Sequence, residues 1–280
     1  MMVSQPWRNK HAIVSGGSSG LGFHLAIGLA KQGANLVLIG RDRGKLEAAQ
    51  HAVLKAGAPD VVILALDIAD EVMWTGRASD AAERFRDLLM SHPIDLLINA
   101  VGRSDRGRME QLQPSDLLQH FQANVLSSFR MTQACLPGLR KVRGTVVNIA
   151  SLAGVIPAPG MGAYSMAKHA LVGMHRQWRL EHVDSSVHFM LVCPGPIDRH
   201  DSRDRYDLLV QSRDLDPQQA KPGGGVRLNR LAPEALAERI LHGAARRELE
   251  LIVPSKARWL AALMSLCPSW ADSIVRRRFS

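Results

Sequence analysis

Residues 11–49 read HAIVSGGSSGLGFHLAIGLAKQGANLVLIGRDRGKLEAA, and this stretch decides the fold. An apolar run at His11–Ser15 meets glycines at 16, 17, 20 and 22, then helical spacing over Leu21–Gln32 and a second apolar run at Asn35–Ile39. Strand, glycine turn and helix in that order place flexible backbone at a helix N-terminus. Glycines let the backbone approach a phosphate closely, while the first turn of the helix offers unpaired N–H groups and a partial positive charge. Many strand–helix turns carry small residues for packing alone. Here the strand-turn-helix context and the position at the start of the chain favour a dinucleotide site.

The same alternation continues along the chain. Apolar runs at Val61–Leu66, Asp95–Asn99, Gly144–Ile149, His188–Cys193 and Leu249–Val253 read as further strands. Between them, Arg43–Lys55, Ala78–Met90, Pro114–Leu139, Ala163–Val183 and Pro233–Arg246 have helical spacing. Several strands are apolar on both faces, as required when helices cover both sides of a parallel sheet. The pattern predicts an α/β fold, a single Rossmann-type doubly wound parallel sheet, with 280 residues forming one domain. The least regular stretch, about residues 195–231, is rich in Arg, Asp, Pro and Gly and reads as a substrate lid.

Arg41 follows the second strand closely. In a dinucleotide site this strand end lies beside the adenosine ribose, where an acid would accept from the ribose hydroxyls and repel a 2′-phosphate. Gly40 occupies that place, and Arg41 supplies a planar fork that suits a phosphate. The plainer reading is a solvated loop with helix-start charges, since Asp42 and Arg43 also lie there. Missing acid and present base together favour NADP over NAD. Asp67, after the third strand, accepts either from an adenine amino group or from the next helix as a cap.

"AYSMAKHAL" sets Tyr164 and Lys168 four residues apart on one helix face. A free phenol has a pKa of about 10, and a neighbouring ammonium favours its ionised form, which makes proton exchange with an alcohol oxygen accessible near neutrality. An exposed helix pair is the alternative. Ser151 ends the run "TVVNIAS" at the sheet edge where such folds bind ligands, and its hydroxyl suits a carbonyl oxygen.

Taken together, these segments resemble the classical short-chain dehydrogenases/reductases over about residues 10 to 200. "SGGSSGLG" at Ser15–Gly22 is similar to the family's TGxxxGxG, with Ser in place of Thr. "INAVG" is similar to its NNAG element at Asn99 and Gly102, and departs from it at Ala100 and Val101. Asn124 in "ANV", with Ser151, Tyr164 and Lys168, falls on the family's catalytic positions. "PGPI" at Pro194–Ile197 matches the segment flanking the nicotinamide, but the threonine usual after it is missing; Asp198, Arg199 and His200 stand nearby. Through "GGSSGLG" and "GRDRGKL" the sequence is also loosely similar to the 3-ketodihydrosphingosine reductase-like branch.

The resemblance implies NADP(H)-dependent hydride transfer between a carbonyl and an alcohol. Tyr164 is then the proton donor, Ser151 holds the oxygen, Lys168 supports the tyrosine and the nicotinamide ribose, and Asn124 holds a relay water. It places Ser15, Gly16, Ser18, Ser19, Gly20, Leu21, Gly22, Arg41, Asp67, Asn99, Gly102, Tyr164, Lys168, Pro194, Gly195 and Ile197 around the cofactor. It also implies a homodimer or homotetramer through the helices carrying Asn124 and Tyr164. An NADPH-binding sensor without turnover is the alternative, and it would show a broken catalytic set. Apolar residues in Ala153–Tyr164, among them Val155, Ile156, Pro157, Pro159 and Met161, point to a hydrophobic substrate.

Composition narrows the remaining classes. Hydrophobic residues make up 46% and charged residues 22%, the balance of a globular protein with a substantial core. Three scattered cysteines without CxxC spacing, and eleven histidines without HExxH, indicate neither a disulfide framework nor a metal site. With no signal peptide and no membrane-length apolar segment, a cytoplasmic protein is expected. The net charge of +9 is concentrated at the end: residues 254–280 carry five basic residues against Asp272 alone, which argues against a nucleic-acid face spread over the domain. That tail also contains Trp259, Leu260, Leu263, Met264, Leu266, Trp270, Ile274 and Val275. Packing over the pocket or a subunit interface is the favoured reading; peripheral contact with anionic lipid is the other.

Overall fold

The computed structural model describes residues 5–75, 79–198 and 228–279. Its seven strands are β1 (His11–Ser15), β2 (Asn35–Gly40), β3 (Val61–Ala65), β4 (Leu96–Asn99), β5 (Thr145–Ile149), β6 (His188–Pro194) and β7 (Glu250–Val253). They form one parallel sheet in the order β3-β2-β1-β4-β5-β6-β7. The expected strands are all present, with ends moved by a residue. Alternate strand residues enter opposite cores, which is why these runs are apolar throughout. Val14 and Ile98 pack with Leu25 and Leu29 of α1 (Gly20–Ala30), whereas Ile13 and Leu97 pack into the core on the other face.

Helices α1, α2 (Arg43–Lys55) and, later in the chain, Pro233–Ala245 cover the first face. On the other lie α3 (Asp80–Ser91), α4 (Pro114–Phe121), α5 (Ser127–Val142) and α6 (Gly162–Glu181). Ala78, the expected start of α3, lies outside the described residues. Pro233–Ala245 is α7, and the chain ends in α8 (Ala257–Leu266) and α9 (Pro268–Phe279).

The long helix expected over Pro114–Leu139 is instead interrupted by a π turn at Gln122–Leu126, containing Asn124. Such turns insert one residue into the helical register and re-aim the side chains around it. Asn124 Nδ2 donates to the carbonyls of His120 and Arg103, both at 3.0 Å, so a side chain holds backbone oxygens where the ordinary helical ladder is disturbed.

After β3 the chain crosses to the far side of β1 and resumes at β4. Connections from neighbouring strands therefore leave toward opposite faces, and a crevice opens beyond the C-terminal ends of β1 and β4. Of the expected lid, residues 199–227 lie outside the described part. Its base is tied together: Leu231 N donates to Pro196 O at 2.8 Å, and Asp198 N to Leu231 O at 2.9 Å.

Candidate active site

The crevice is a cleft of about 1890 Å³, well beyond the space a single small ligand needs. Its floor is the turn between β1 and α1. Gly16 N donates to Ile39 O at 2.8 Å, which pins the turn to the end of β2. Gly20 has φ +55 and opens on empty space, while a Cβ on Gly22 would run into the Gly16 carbonyl. Neither position tolerates an ordinary side chain: one for its backbone conformation, the other for its close approach. No side chain caps α1 and no acid stands in its first turn, so the helix N-terminus presents N–H groups to the cleft. This cradle fits a diphosphate.

At the end of the cleft beside β2, Arg41 lines it with Asp67, 4.0 Å apart, the Arg41 side chain 80% exposed. Asp67 is not a helix cap. Its Oδ1 accepts from Ala69 N at 3.0 Å in a local turn, and Asp70 supports the short helical turn at Val72–Trp74 by accepting from Val72 N. Asp42 caps α2 by accepting from Lys45 N at 3.0 Å, and Arg43 is engaged with Glu47 at 2.9 Å, away from the cleft. A Cβ on Gly40 would stand 3.1 Å from Ser18 Oγ, so an acid here would crowd the glycine turn. Lys45, which motif reading passes over, also lines this end.

The four candidate catalytic residues come from three elements and meet at the opposite end. Ser151 follows β5 and begins a 3-10 turn at Leu152–Gly154, its Oγ accepting from Ala153 N at 3.2 Å. Ser165 Oγ donates to Ala153 O at 2.8 Å, stapling that turn to the first turn of α6. Tyr164 and Lys168 lie one helical turn apart, with Lys168 Nζ 5.9 Å from the phenol ring centre. Lys168 is 4% exposed, and its ammonium donates to Ile149 O at 3.0 Å. Asn124 Oδ1 is buried without a hydrogen-bond partner. A Cβ added to Gly102 would be 2.8 Å from that oxygen and 3.4 Å from Lys168 Nζ, so both groups border one small gap that glycine leaves open.

Ser18, Ser19, Leu21, Gly102, Pro194, Gly195 and Ile197 line the cleft as expected. Ser15 and Asn99 do not. Ser15 is 1% exposed and its hydroxyl donates to Ile98 O at 3.3 Å. Asn99 donates to Asn148 Oδ1 at 2.8 Å and to Thr132 Oγ1 at 3.1 Å. Asn148 is in turn 3.0 Å from Nδ1 of His175, whose pKa burial lowers to about 3, with Arg179, Arg176 and His188 adding to the effect. These polar side chains brace β1, β4 and β5 from behind the site.

A polar group beside Tyr164 is visible only in the fold. His120, on α4, stands edge-on to the Tyr164 ring at 6.4 Å between centres, with Nε2 4.0 Å from Asp105 Oδ2. Asp105 also accepts from Arg103 at 3.3 Å and from the Arg106 backbone at 2.8 Å. The only hint in the sequence is the charge density of "GRSDRGR" after Gly102. Among the described residues, no group of three His, Cys, Asp or Glu residues stands close enough to hold a metal. No described helix is long and apolar enough to cross a membrane.

Comparison with known proteins places this geometry in context. The model of the short chain dehydrogenase family matches residues 10–206. An Arabidopsis thaliana "11-beta-hydroxysteroid dehydrogenase-like 2" is 27% identical over 269 residues, covering 95% of this chain and 80% of the relative. The "Ketoacyl reductase HetN" of Nostoc sp. is 27% identical over 274 residues, covering 95% and 88%. Among solved structures, L-sorbose reductase from Gluconobacter frateurii superposes with a TM-score of 0.75 at 21% identity, over 90% of this chain and 97% of that one. An alcohol dehydrogenase from Thermococcus sibiricus gives 0.69 at 23% identity, over 87% and 95%. With its parallel sheet, glycine turn and Ser151/Tyr164/Lys168 arrangement, the chain belongs to the short-chain dehydrogenase family of oxidoreductases.

Proposed function

We propose that this chain is an NADP(H)-dependent oxidoreductase that interconverts a carbonyl and an alcohol on a small, largely apolar molecule. The observation that carries the reading is the convergence of Asn124, Ser151, Tyr164 and Lys168 on a cleft whose far end is an uncapped helix N-terminus. When bound, the nicotinamide supplies or accepts the hydride. The protein's own groups do the rest. Ser18, Ser19, Gly20 and Leu21 receive the diphosphate, and Arg41 with Lys45 receives a 2′-phosphate. Asp67 faces the adenine, while Gly195 and Ile197 flank the nicotinamide.

Ser151 donates a hydrogen bond to the substrate oxygen and aligns it with Tyr164. Tyr164 transfers its phenolic proton to that oxygen during reduction and recovers it during oxidation. Lys168 stabilises the phenolate by its charge and reaches the ribose hydroxyls. Asn124 Oδ1 and Lys168 Nζ hold a water in the gap beside Gly102, through which Tyr164 is re-protonated. His120 packs against the phenol and holds its orientation.

NADP is favoured by Arg41, Lys45 and the absence of an acid at Gly40. The titles of the two solved neighbours agree with this, naming NADPH in one and 5-hydroxy-NADP in the other. A hydrophobic substrate is supported by Ile156, Pro157, Met161, Leu260 and Leu263, which line the cleft beyond Tyr164. The relative named for hydroxysteroid dehydrogenation fits the same class. A panel of apolar carbonyl compounds, followed by the near-ultraviolet absorbance of NADPH or NADH, tests the reading. Consumption that requires the carbonyl and prefers NADPH is expected. NADPH binding with no turnover across the panel would leave only a sensor.

A homodimer or homotetramer completes the proposal. Phe129 on α5 and Met166 and Leu180 on α6 are exposed and apolar, on the helices through which this family associates. Light scattering at the mass of one 30.7 kDa chain would refute it. A cytoplasmic location belongs to the same proposal and is checked by fractionating cells that express the chain.

A further inference from the structure

The last two helices bury little of their apolar content. None of the ten residues of α8, Ala-Arg-Trp-Leu-Ala-Ala-Leu-Met-Ser-Leu, is buried. Trp259 is 77% exposed, Leu266 79% and, on α9, Trp270 71%. Spacing explains how these residues are displayed. Trp259, Leu263 and Leu266 follow one another at i, i+4 and i+7 on α8, as do Trp270, Ile274 and Arg277 on α9. The adjoining face of α9, about 100° round the helix, holds Ala271 and Val275, which are buried. The two helices pack on each other. The pair is therefore anchored through Ala271 and Val275 and displays two tryptophan-bearing stripes, apolar on α8 and ending in Arg277 on α9.

We propose that the α8–α9 pair docks the protein on an anionic lipid surface, with the mouth of the cleft turned toward the lipid. Charge selects the occupant. Lys256, Arg258, Arg276 and Arg277 are exposed around the stripes, and Asp272 is the one acid in residues 254–280. Tryptophan and leucine flanked by basic residues match the boundary between acyl chains and anionic headgroups. A second copy of the chain fits less well, because a two-fold contact would set these cations against themselves. Phe129 and Met166 on α5 and α6 offer an apolar surface elsewhere for that purpose.

The same helices also wall the cleft. Trp259, Leu260, Leu263, Ile274 and Val275 line it, so the displayed surface and the substrate end of the cavity are continuous. Trp259, Leu263 and Ile274 belong to both the stripes and the cleft wall, whereas Leu266 and Trp270 lie outside the cleft, so packing over the pocket and lipid contact are compatible in one hairpin. An apolar carbonyl compound dissolved in the bilayer would enter the cleft without crossing water. Docking itself rests on no catalytic property, and its test is independent of turnover.

The test is co-sedimentation of the full chain with phosphatidylcholine vesicles and with vesicles that also contain phosphatidylglycerol. Binding to the mixed vesicles only, weakening as salt rises, is expected. Leu266→Ser with Trp270→Ser, and separately Arg258→Glu with Arg277→Glu, should each weaken it on the order of tenfold or more. None of these four residues lines the cleft, so activity on a water-soluble carbonyl serves as the control for folding. If a variant misfolds, quenching of wild-type tryptophan emission by brominated acyl chains provides the second readout. Full chain left in the supernatant with anionic vesicles at low salt overturns the proposal. So does binding unchanged in both variants. A variant that instead halves the particle mass in light scattering assigns the surface to a second copy.

Discussion

The two ends of the cleft hold their cations in opposite ways. Lys168 is 4% exposed, with its ammonium fixed on the Ile149 carbonyl and bordered by Asn124 and Gly102. The Arg41 side chain is 80% exposed and meets Asp67 only at 4.0 Å. A buried, hydrogen-bonded charge acts through a poorly screened medium and stands in position before a ligand arrives. An exposed one is screened by salt and must give up side-chain freedom when it binds. The proposed function puts chemistry where geometry is fixed, and cofactor choice where a side chain is easily exchanged.

The sharpest test of the contrast is Lys168→Ala. It removes the charge beside the phenol and the proposed ribose contact together, so turnover should fall roughly 10²–10⁴-fold, with NADPH binding weakened as well. Single-turnover kinetics and equilibrium titration measure the two separately, and a loss confined to affinity would contradict the role assigned to Lys168. Gly102→Ala is subtler. Its Cβ would stand 2.8 Å from Asn124 Oδ1 and close the gap proposed to hold the relay water. We expect kcat to drop on the order of tenfold to a hundredfold, with a smaller change in NADPH affinity; an unchanged kcat would remove the relay.

Arg41→Ala should leave the chemistry intact and act on binding alone. Losing one charge-assisted contact predicts roughly tenfold to hundredfold weaker NADPH binding, with NADH nearly unaffected. Because Arg41 is exposed, the difference should shrink as ionic strength rises. Wild-type protein that binds both cofactors equally would refute the assignment.

The contrast also explains what could be read from the sequence. Strands buried on both faces leave continuous apolar runs, so β1 through β7 are legible to within a residue or so. Tyr164 and Lys168 are legible because one helical turn sets their relation. The π turn at Gln122–Leu126 is hidden, since helical spacing continues through it and the stabilising bonds come from Asn124 to backbone oxygens. Ser15 and Asn99 belong to cofactor motifs yet face inward, a distinction that depends on which side of a strand end meets the crevice. The contact of His120 with Tyr164 joins elements 44 positions apart and has no local signature. Apolar spacing in α8 and α9 marks helices without telling which face stays uncovered.

The central claim is that Tyr164 exchanges the proton while the rest of the site binds and aligns. Tyr164→Phe tests it most directly, because only the hydroxyl is removed. NADPH titration and carbonyl-dependent NADPH consumption should be measured on the same preparation. The account predicts affinity within a few-fold of wild type and carbonyl reduction lowered by roughly 10²–10⁴-fold. Reduction surviving within a few-fold of wild type would contradict it and require another acid in the cleft.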